Sequence, residues 1–210
     1  MLVMNVLDEG RNAVRGVMRR IARGLHSVSG GSITPNTITL VGFMAHVPIA
    51  YLIAMQQYVL AAVFLLIFGL FDALDGELAR LQGKASSAGM VLDASTDRMK
   101  EVLLYTGVAY ALASTVTPTD VAWAVAACGA SLCVSYVKAK GETAVQDSDL
   151  TPNQINRLFA DGLMRFEIRM LILIVGLLAD QLVLAVAAIA VGSTLTAFSR
   201  LIRITRKLSS

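Results

Sequence analysis

Apolar residues fall along this chain in long blocks, parted by short polar breaks, near positions 37–55, 58–80, 92–115, 120–140, 163–179 and 182–203. Each block approaches the roughly 20 residues that an α-helix needs to cross a hydrocarbon core of about 30 Å. The blocks are continuous rather than alternating, so a transmembrane β-barrel does not fit them. Ahead of them, "NVLDEGRNAVRGVMRRIARGL" (5–25) sets Val6, Val14, Val17, Met18, Ile21 and Leu25 along one helical stripe. Arg11, Arg15, Arg19 and Arg23 form another at i+4 spacing. That pattern suits a helix lying in the membrane interface with its guanidinium groups among lipid head groups. The expected fold is an all-α integral membrane protein, with six transmembrane helices after an N-terminal amphipathic interfacial helix. Residues 1–30 are the juxtamembrane helix and its turn, and 31–210 the six-helix transmembrane domain.

Composition agrees with this reading. The 210 residues are 56% hydrophobic and 16% charged, and a soluble domain of this length needs more polar surface to cover itself. The first 25 residues are basic and lack the apolar core of a cleavable signal peptide. Cys128 and Cys133 lie on different faces of one predicted span and are read as small packing residues rather than a disulfide.

The charges also set an orientation. The breaks "AMQQY", "STVTPTD" and "LADQL" hold no basic residue, whereas the other side carries the N-terminal arginines, Arg80, Lys84, Lys138, Lys140, Arg157 and the C-terminal cluster from Arg200 to Lys207. Positive residues stay on the inner side, so both termini and the basic loops are expected in the cytoplasm, with the chain multi-pass in the cell membrane. The net charge of +3 thus concerns orientation, and no basic patch interleaved with aromatics suggests nucleic acid. The longest polar connection, 141–162, is expected to be a cytoplasmic loop with one short helix.

Against this background the segment "DALDGELARLQGKASSAGMVLDASTD" (72–97) is anomalous, because it places Asp72, Asp75, Asp93 and Asp97 at the ends of apolar blocks. On helices, Asp72, Asp75 and Ala79 share one face, and Gly89, Asp93 and Asp97 share another. The short connection "LQGKASSA" folds the two helices antiparallel, so the four carboxylates are expected to converge. An ionised acid at a bilayer centre costs about 2.5–3.5 kcal/mol on insertion scales, and neighbouring acids repel. Arg80 is one charge against four; a pair of divalent ions balances the set. All-oxygen ligands select hard cations, two Mg2+ with Mn2+ as the alternative. Magnesium ordinarily completes its shell with substrate phosphates, which points to a phosphate-bearing ligand.

The same residues fit D-x2-D-G-x2-A-R-x8-G-x3-D-x3-D through Asp72, Asp75, Gly76, Ala79, Arg80, Gly89, Asp93 and Asp97. This resembles the signature of the CDP-alcohol phosphotransferases (CDP-alcohol phosphatidyltransferases), membrane enzymes of phospholipid synthesis. "TPNTITLVG" (34–42) resembles the start of that family's first span. The resemblance implies transfer of a phosphatidyl group from a CDP-linked lipid to an alcohol hydroxyl with release of CMP. It implies that Asp72, Asp75, Asp93 and Asp97 hold the metals and that Asp97 takes the proton from the hydroxyl. Asn36, Asp72, Asp75, Gly76, Ala79, Arg80, Ser86 and Ser87 are then the nucleotide-lipid contacts, and a homodimer is the family's expectation.

For the acceptor, "SLCVSYVKAKGE" (131–142) resembles the stretch "S-Y-x-K-A-R-A-E" of the branch that makes phosphatidylinositol phosphate. By that likeness Ser135 and Lys138 touch the acceptor's phosphate. "RFEIRMLILIVG" (165–176) and "TAFSR" (196–200) resemble later segments of the same branch and add Arg165, Arg169 and Arg200. Inositol phosphate is the first acceptor implied; glycerol 3-phosphate, also a phosphate monoester, is the alternative. A cation transporter is the remote alternative, since it would place acids near the midplane on broken helices.

Overall fold

The computed structural model describes residues 2–114, 117, 119–144, 162 and 164–208, with side chains from residue 14 onward. Eight helices account for almost all of these residues: α1 (Leu2–Ser29), α2 (Pro35–Ala54), α3 (Tyr58–Gly69), α4 (Phe71–Gln82), α5 (Ser87–Ala113), α6 (Thr119–Ala144), α7 (Phe166–Leu178) and α8 (Leu182–Leu208). The helix expected inside 141–162 falls largely outside the described residues.

Helix boundaries follow local chemistry. Thr34 Oγ1 accepts from the Thr37 amide at 3.2 Å, and Pro35 begins α2, where its missing N–H costs nothing. Helices α3 and α4 continue each other through Leu70, where the Leu70 amide bonds back three residues to Ile67. Helix α4 stops at Gly83, whose φ of 63° lets the amides of Gly83 and Lys84 reach the carbonyls of Arg80 and Ala79. Ser86 caps α5 by accepting from the Gly89 amide at 3.1 Å.

Four stretches are long and apolar enough to cross a membrane: α2 with 20 residues, Tyr58–Gln82 with 25, α6 with 26 and α8 with 27. Large apolar side chains such as Tyr51, Leu66, Val125, Leu184 and Leu195 are exposed, while Lys100, Glu101 and Arg169 are buried. That is the surface of a membrane protein, with lipid as the outer solvent. The expected third and fifth spans differ from this pattern. Helix α5 carries Asp93, Asp97, Arg98, Lys100 and Glu101, and α7 has only 13 residues, about 20 Å of helix.

The chain forms two compact units, Met1–Ile49 with Val63–Leu103, and Ala50–Ala62 with Leu104–Ser210. In the first, Met18 and Ala22 of α1 share a buried cluster with Ile38 of α2 and Leu74 and Leu78 of α4. Arg19 of α1 also bonds Glu77 of α4 at 3.3 Å, and Gln82 Nε2 donates to the Ile33 carbonyl at 2.8 Å. The N-terminal helix is thereby fastened to the helix that bears Asp72 and Asp75. His46 is a packed histidine, with Nδ1 2.7 Å from the Gly42 carbonyl.

In the second unit, α6 packs along α8, and α7 and α8 form a hairpin whose turn passes through Asp180 at φ 54°. Gly176 lies so close to Ala185 that a Cβ would collide with it, and Gly107 lies equally close to the Ala50 carbonyl. Ala124 and Ala127 of α6 are fully buried within the chain. Cys128 and Cys133 are free thiols; Cys128 is half-buried, whereas Cys133 is exposed and does not pack within the chain.

Candidate metal and nucleotide site

Helices α4 and α5 bring three acids together. Carboxylate oxygens from Asp72, Asp75 and Asp93 all lie within 4.8 Å of one another. The spacing of the motif accounts for this: Asp72 and Asp75 are one turn apart on α4, and the turn at Gly83 returns the chain so that the start of α5 supplies Asp93. Asp75 is buried and accepts a 2.6 Å bond from Thr39 on α2, which fixes one carboxylate oxygen. Asp93 Oδ1 is buried with no hydrogen-bond partner. Burying such an oxygen bare is costly, so an orphaned carboxylate oxygen beside two other acids fits a cation ligand. The donor set is oxygen only, which suits Mg2+ or Mn2+.

Asp97 stands apart from this trio. Its Oδ1 accepts from Lys100 Nζ at 3.1 Å and its Oδ2 faces Arg98 at 3.6 Å. Lys100 also donates to Asp72 Oδ1, so one ammonium ties α4 to α5. The Lys100 side chain is 1% exposed. Sequence reasoning set Arg80 alone against the acids and passed over Lys100, although its position three residues after Asp97 places it on the same helical face. Arg80 instead bonds Glu77 at 2.8 Å, and its side chain is 61% exposed. Thr39 was likewise passed over, although it stands in the segment that opens the first span.

The expected nucleotide contacts gather around the same helices. A Cβ added to Gly76 would meet the Arg80 guanidinium at 3.5 Å, so that group lies over the glycine. A Cβ on Gly89 would meet Ser86 Oγ at 3.3 Å and Asn36 Oδ1 at 3.5 Å, which brings Asn36, Ser86 and Gly89 together. Ala79 is half-buried, while Asn36, Ser86 and Ser87 are exposed.

The expected acceptor residues belong to the second unit. Arg169 and Arg200 are buried, and they reach main-chain carbonyls: Arg169 Nη1 donates to Met164 at 2.6 Å, and Arg200 Nη1 to Val134 at 3.3 Å. Arg200 also lies within electrostatic range of Arg165, Arg169 and Arg203. Arg165 occupies the cap position before α7. Ser135 Oγ donates to the Ser131 carbonyl at 3.3 Å. Lys138 is half-exposed and pairs with Glu142 at 3.7 Å.

A family profile described as CDP-alcohol phosphatidyltransferase matches residues 32–198, most of the chain. The chain belongs to this family. Among CDP-alcohol phosphatidyltransferases it is 29% identical over 202 residues to the phosphatidylinositol phosphate synthase of Corynebacterium glutamicum, covering 92% of this chain and 86% of that protein. It is 36% identical over 104 residues to the archaetidylinositol phosphate synthase of Pyrococcus horikoshii, covering 50% of this chain and only 54% of that protein. The crystal structure of phosphatidylinositol phosphate synthase from Mycobacterium tuberculosis with CDP-DAG bound matches with a TM-score of 0.76 at 28% identity, covering 90% of this chain and 93% of that one. The same enzyme in complex with manganese and citrate also matches with a TM-score of 0.76, at 27% identity, with 90% and 88% covered.

Proposed function

We propose that this chain is a divalent-metal-dependent transferase that moves a phosphatidyl group from a CDP-linked lipid to inositol phosphate, giving phosphatidylinositol phosphate and CMP. The observation that carries the reading is the Asp72, Asp75 and Asp93 trio with its orphaned Asp93 oxygen. The likeness to a manganese-bound and a CDP-DAG-bound inositol phosphate enzyme supports it.

In this reading Asp72, Asp75 and Asp93 hold Mg2+ or Mn2+, with Asp97 at the edge of the site. When bound, the metal neutralises charge on the diphosphate and on departing CMP. The other tasks belong to the chain's own groups. Asn36, Gly76, Ala79, Arg80, Ser86 and Ser87 hold the nucleotide-lipid, the glycine admitting it close to the backbone. Ser135, Lys138, Arg165, Arg169 and Arg200 hold the acceptor's phosphate, which suits the bidentate fork of arginine. Asp97 accepts the hydroxyl proton as the acceptor oxygen bonds the lipid-side phosphorus and the P–O bond to CMP breaks.

The wider setting belongs to the same proposal. The chain crosses the cell membrane six times, with α5 and α7 completing the set. Both termini and the site face the cytoplasm, α1 lies in the interface, and the protein works as a homodimer. Cysteine-accessibility labelling at the "AMQQY" and "LADQL" turns tests the topology, and crosslinking in native membranes tests the dimer. The activity is tested by CMP release from CDP-diacylglycerol and from its ether analogue, offered with inositol phosphate or glycerol 3-phosphate. Release with inositol phosphate is the expected result. Preference for glycerol 3-phosphate would overturn the acceptor assignment, and no release with any acceptor and metal would overturn the whole reading.

A further inference from the structure

Glu77 is a buried carboxylate that stands outside the aspartate site and has no task in the proposed reaction. Its side chain is 5% exposed, and each oxygen meets a different guanidinium. Oε1 accepts from Arg80 Nη2 at 2.8 Å, and Oε2 accepts from Arg19 Nε of α1 at 3.3 Å. Both arginines are themselves open, with side chains 63% exposed at Arg19 and 61% at Arg80. A Cβ added to Gly76 would meet Arg80 Nη2 at 3.5 Å, Nη1 at 3.8 Å and Cζ at 4.0 Å, so the fork as a whole is laid over that glycine. The bond from Glu77 holds it there through one nitrogen. The Arg19 end is fixed by packing, because Met18 and Ala22 on either side of it are buried against Leu74 and Leu78 of α4. Glu77 occupies a position that the motif D-x2-D-G-x2-A-R leaves open.

Resting on the transferase reading, we propose that Glu77 is a positioning residue: it sets the Arg80 fork over Gly76 to receive the nucleotide-lipid, and Arg19 of α1 holds Glu77 in turn. A long arginine loose at the surface samples many rotamers, and fixing it before the ligand arrives removes that entropy cost from binding. Charge alone gives the opposite sign. A carboxylate near a diphosphate repels it, so a Glu77 acting only through its field would weaken binding. In an open site salt screens that repulsion over about 8–10 Å, whereas the alignment of a fork for bidentate contact is not screened. A plain brace between α1 and α4 differs again, since its loss would act whether or not Arg80 is present.

The test is the Kd of CDP, a soluble probe of the headgroup, by isothermal titration calorimetry on the purified full chain in detergent with Mg2+. CMP release from CDP-diacylglycerol is measured beside it. Glu77→Gln keeps the side chain's shape but removes its charge and one acceptor oxygen. It is expected to weaken CDP binding about tenfold and to raise the KM for the CDP-lipid, with kcat and the KM for inositol phosphate close to the parent's. Arg19→Gln, at an exposed position, is expected to weaken CDP binding about threefold. In an Arg80→Ala background both substitutions lose their effect, because they act through that fork. Tighter or unchanged CDP binding in either variant overturns the proposal, and so does a loss that persists without Arg80. Arg19→Gln carries the same readout if Glu77→Gln fails to fold. The functional reading fails separately: CDP binding then follows this pattern while the parent releases no CMP with any acceptor.

Discussion

The acid site of the first unit and the arginines of the second are both charged sites in a greasy protein, but they are built in opposite ways. Asp72, Asp75, Asp93, Asp97 and Lys100 come from 29 consecutive residues on two successive helices, and their charges are answered largely by one another. Arg169 and Arg200 come from helices on either side of a hairpin turn and spend hydrogen bonds on the carbonyls of Met164 and Val134. In the first unit local spacing makes the site, and a buried lysine bridges two of its acids. In the second, tertiary packing makes the site, and the backbone holds the cations in place. They are buried side chains and do not snorkel to the interface.

That contrast can be broken in several places. The largest effect is expected at Asp93, where replacement by asparagine lowers CMP release by about 10²–10³-fold and weakens Mn2+ binding. An active Asp93→Asn enzyme would remove the metal trio from the account. Arg200→Ala is expected to raise the KM for the phosphorylated alcohol about 10–100-fold, the worth of a charged hydrogen bond, with Mn2+ affinity unchanged. Parallel kinetics with each substrate varied in turn check this, and an equal effect on the CDP-lipid KM would erase the division of labour. Thr39→Val removes the 2.6 Å bond that orients Asp75 and is expected to weaken Mn2+ affinity about tenfold. Gly107→Ala pushes a Cβ into the Ala50 carbonyl, so the melting temperature should fall by the equivalent of about 1–3 kcal/mol, with Mn2+ affinity preserved. Lys138→Ala should alter stability by less than about 0.5 kcal/mol, because its pairing with Glu142 is half-exposed.

Much of this could be read before any coordinates, and the reasons are local. The apolar blocks marked α2, α6 and α8 within a few residues, since length and continuity are all that a span requires. Three of four acids meet: Asp72 and Asp75 because i and i+3 positions share a helix face, and Asp93 because the turn at Gly83 brings the next helix back beside them. Other features needed the folded chain. Helix α7 is shorter than its apolar block because the extended backbone of Arg165 delays its start to Phe166, and the left-handed turn at Asp180 follows its end. Arg80 looked like the counter-charge of the acids, but Glu77, buried between Arg19 and Arg80, draws it away. Lys100 escaped notice because a lysine beside an arginine and a glutamate reads as surface charge until its burial is known. Ser86 was read as a nucleotide contact, and its hydroxyl also serves as the cap of α5.

The most direct test of the central claim is anomalous diffraction at the manganese absorption edge, from crystals of this chain grown with Mn2+ and a CDP-linked lipid. A peak bounded by Asp72, Asp75 and Asp93, with the nucleotide diphosphate against it, is the predicted result. A peak elsewhere, or none at saturating Mn2+ with the nucleotide-lipid in place, would contradict the account.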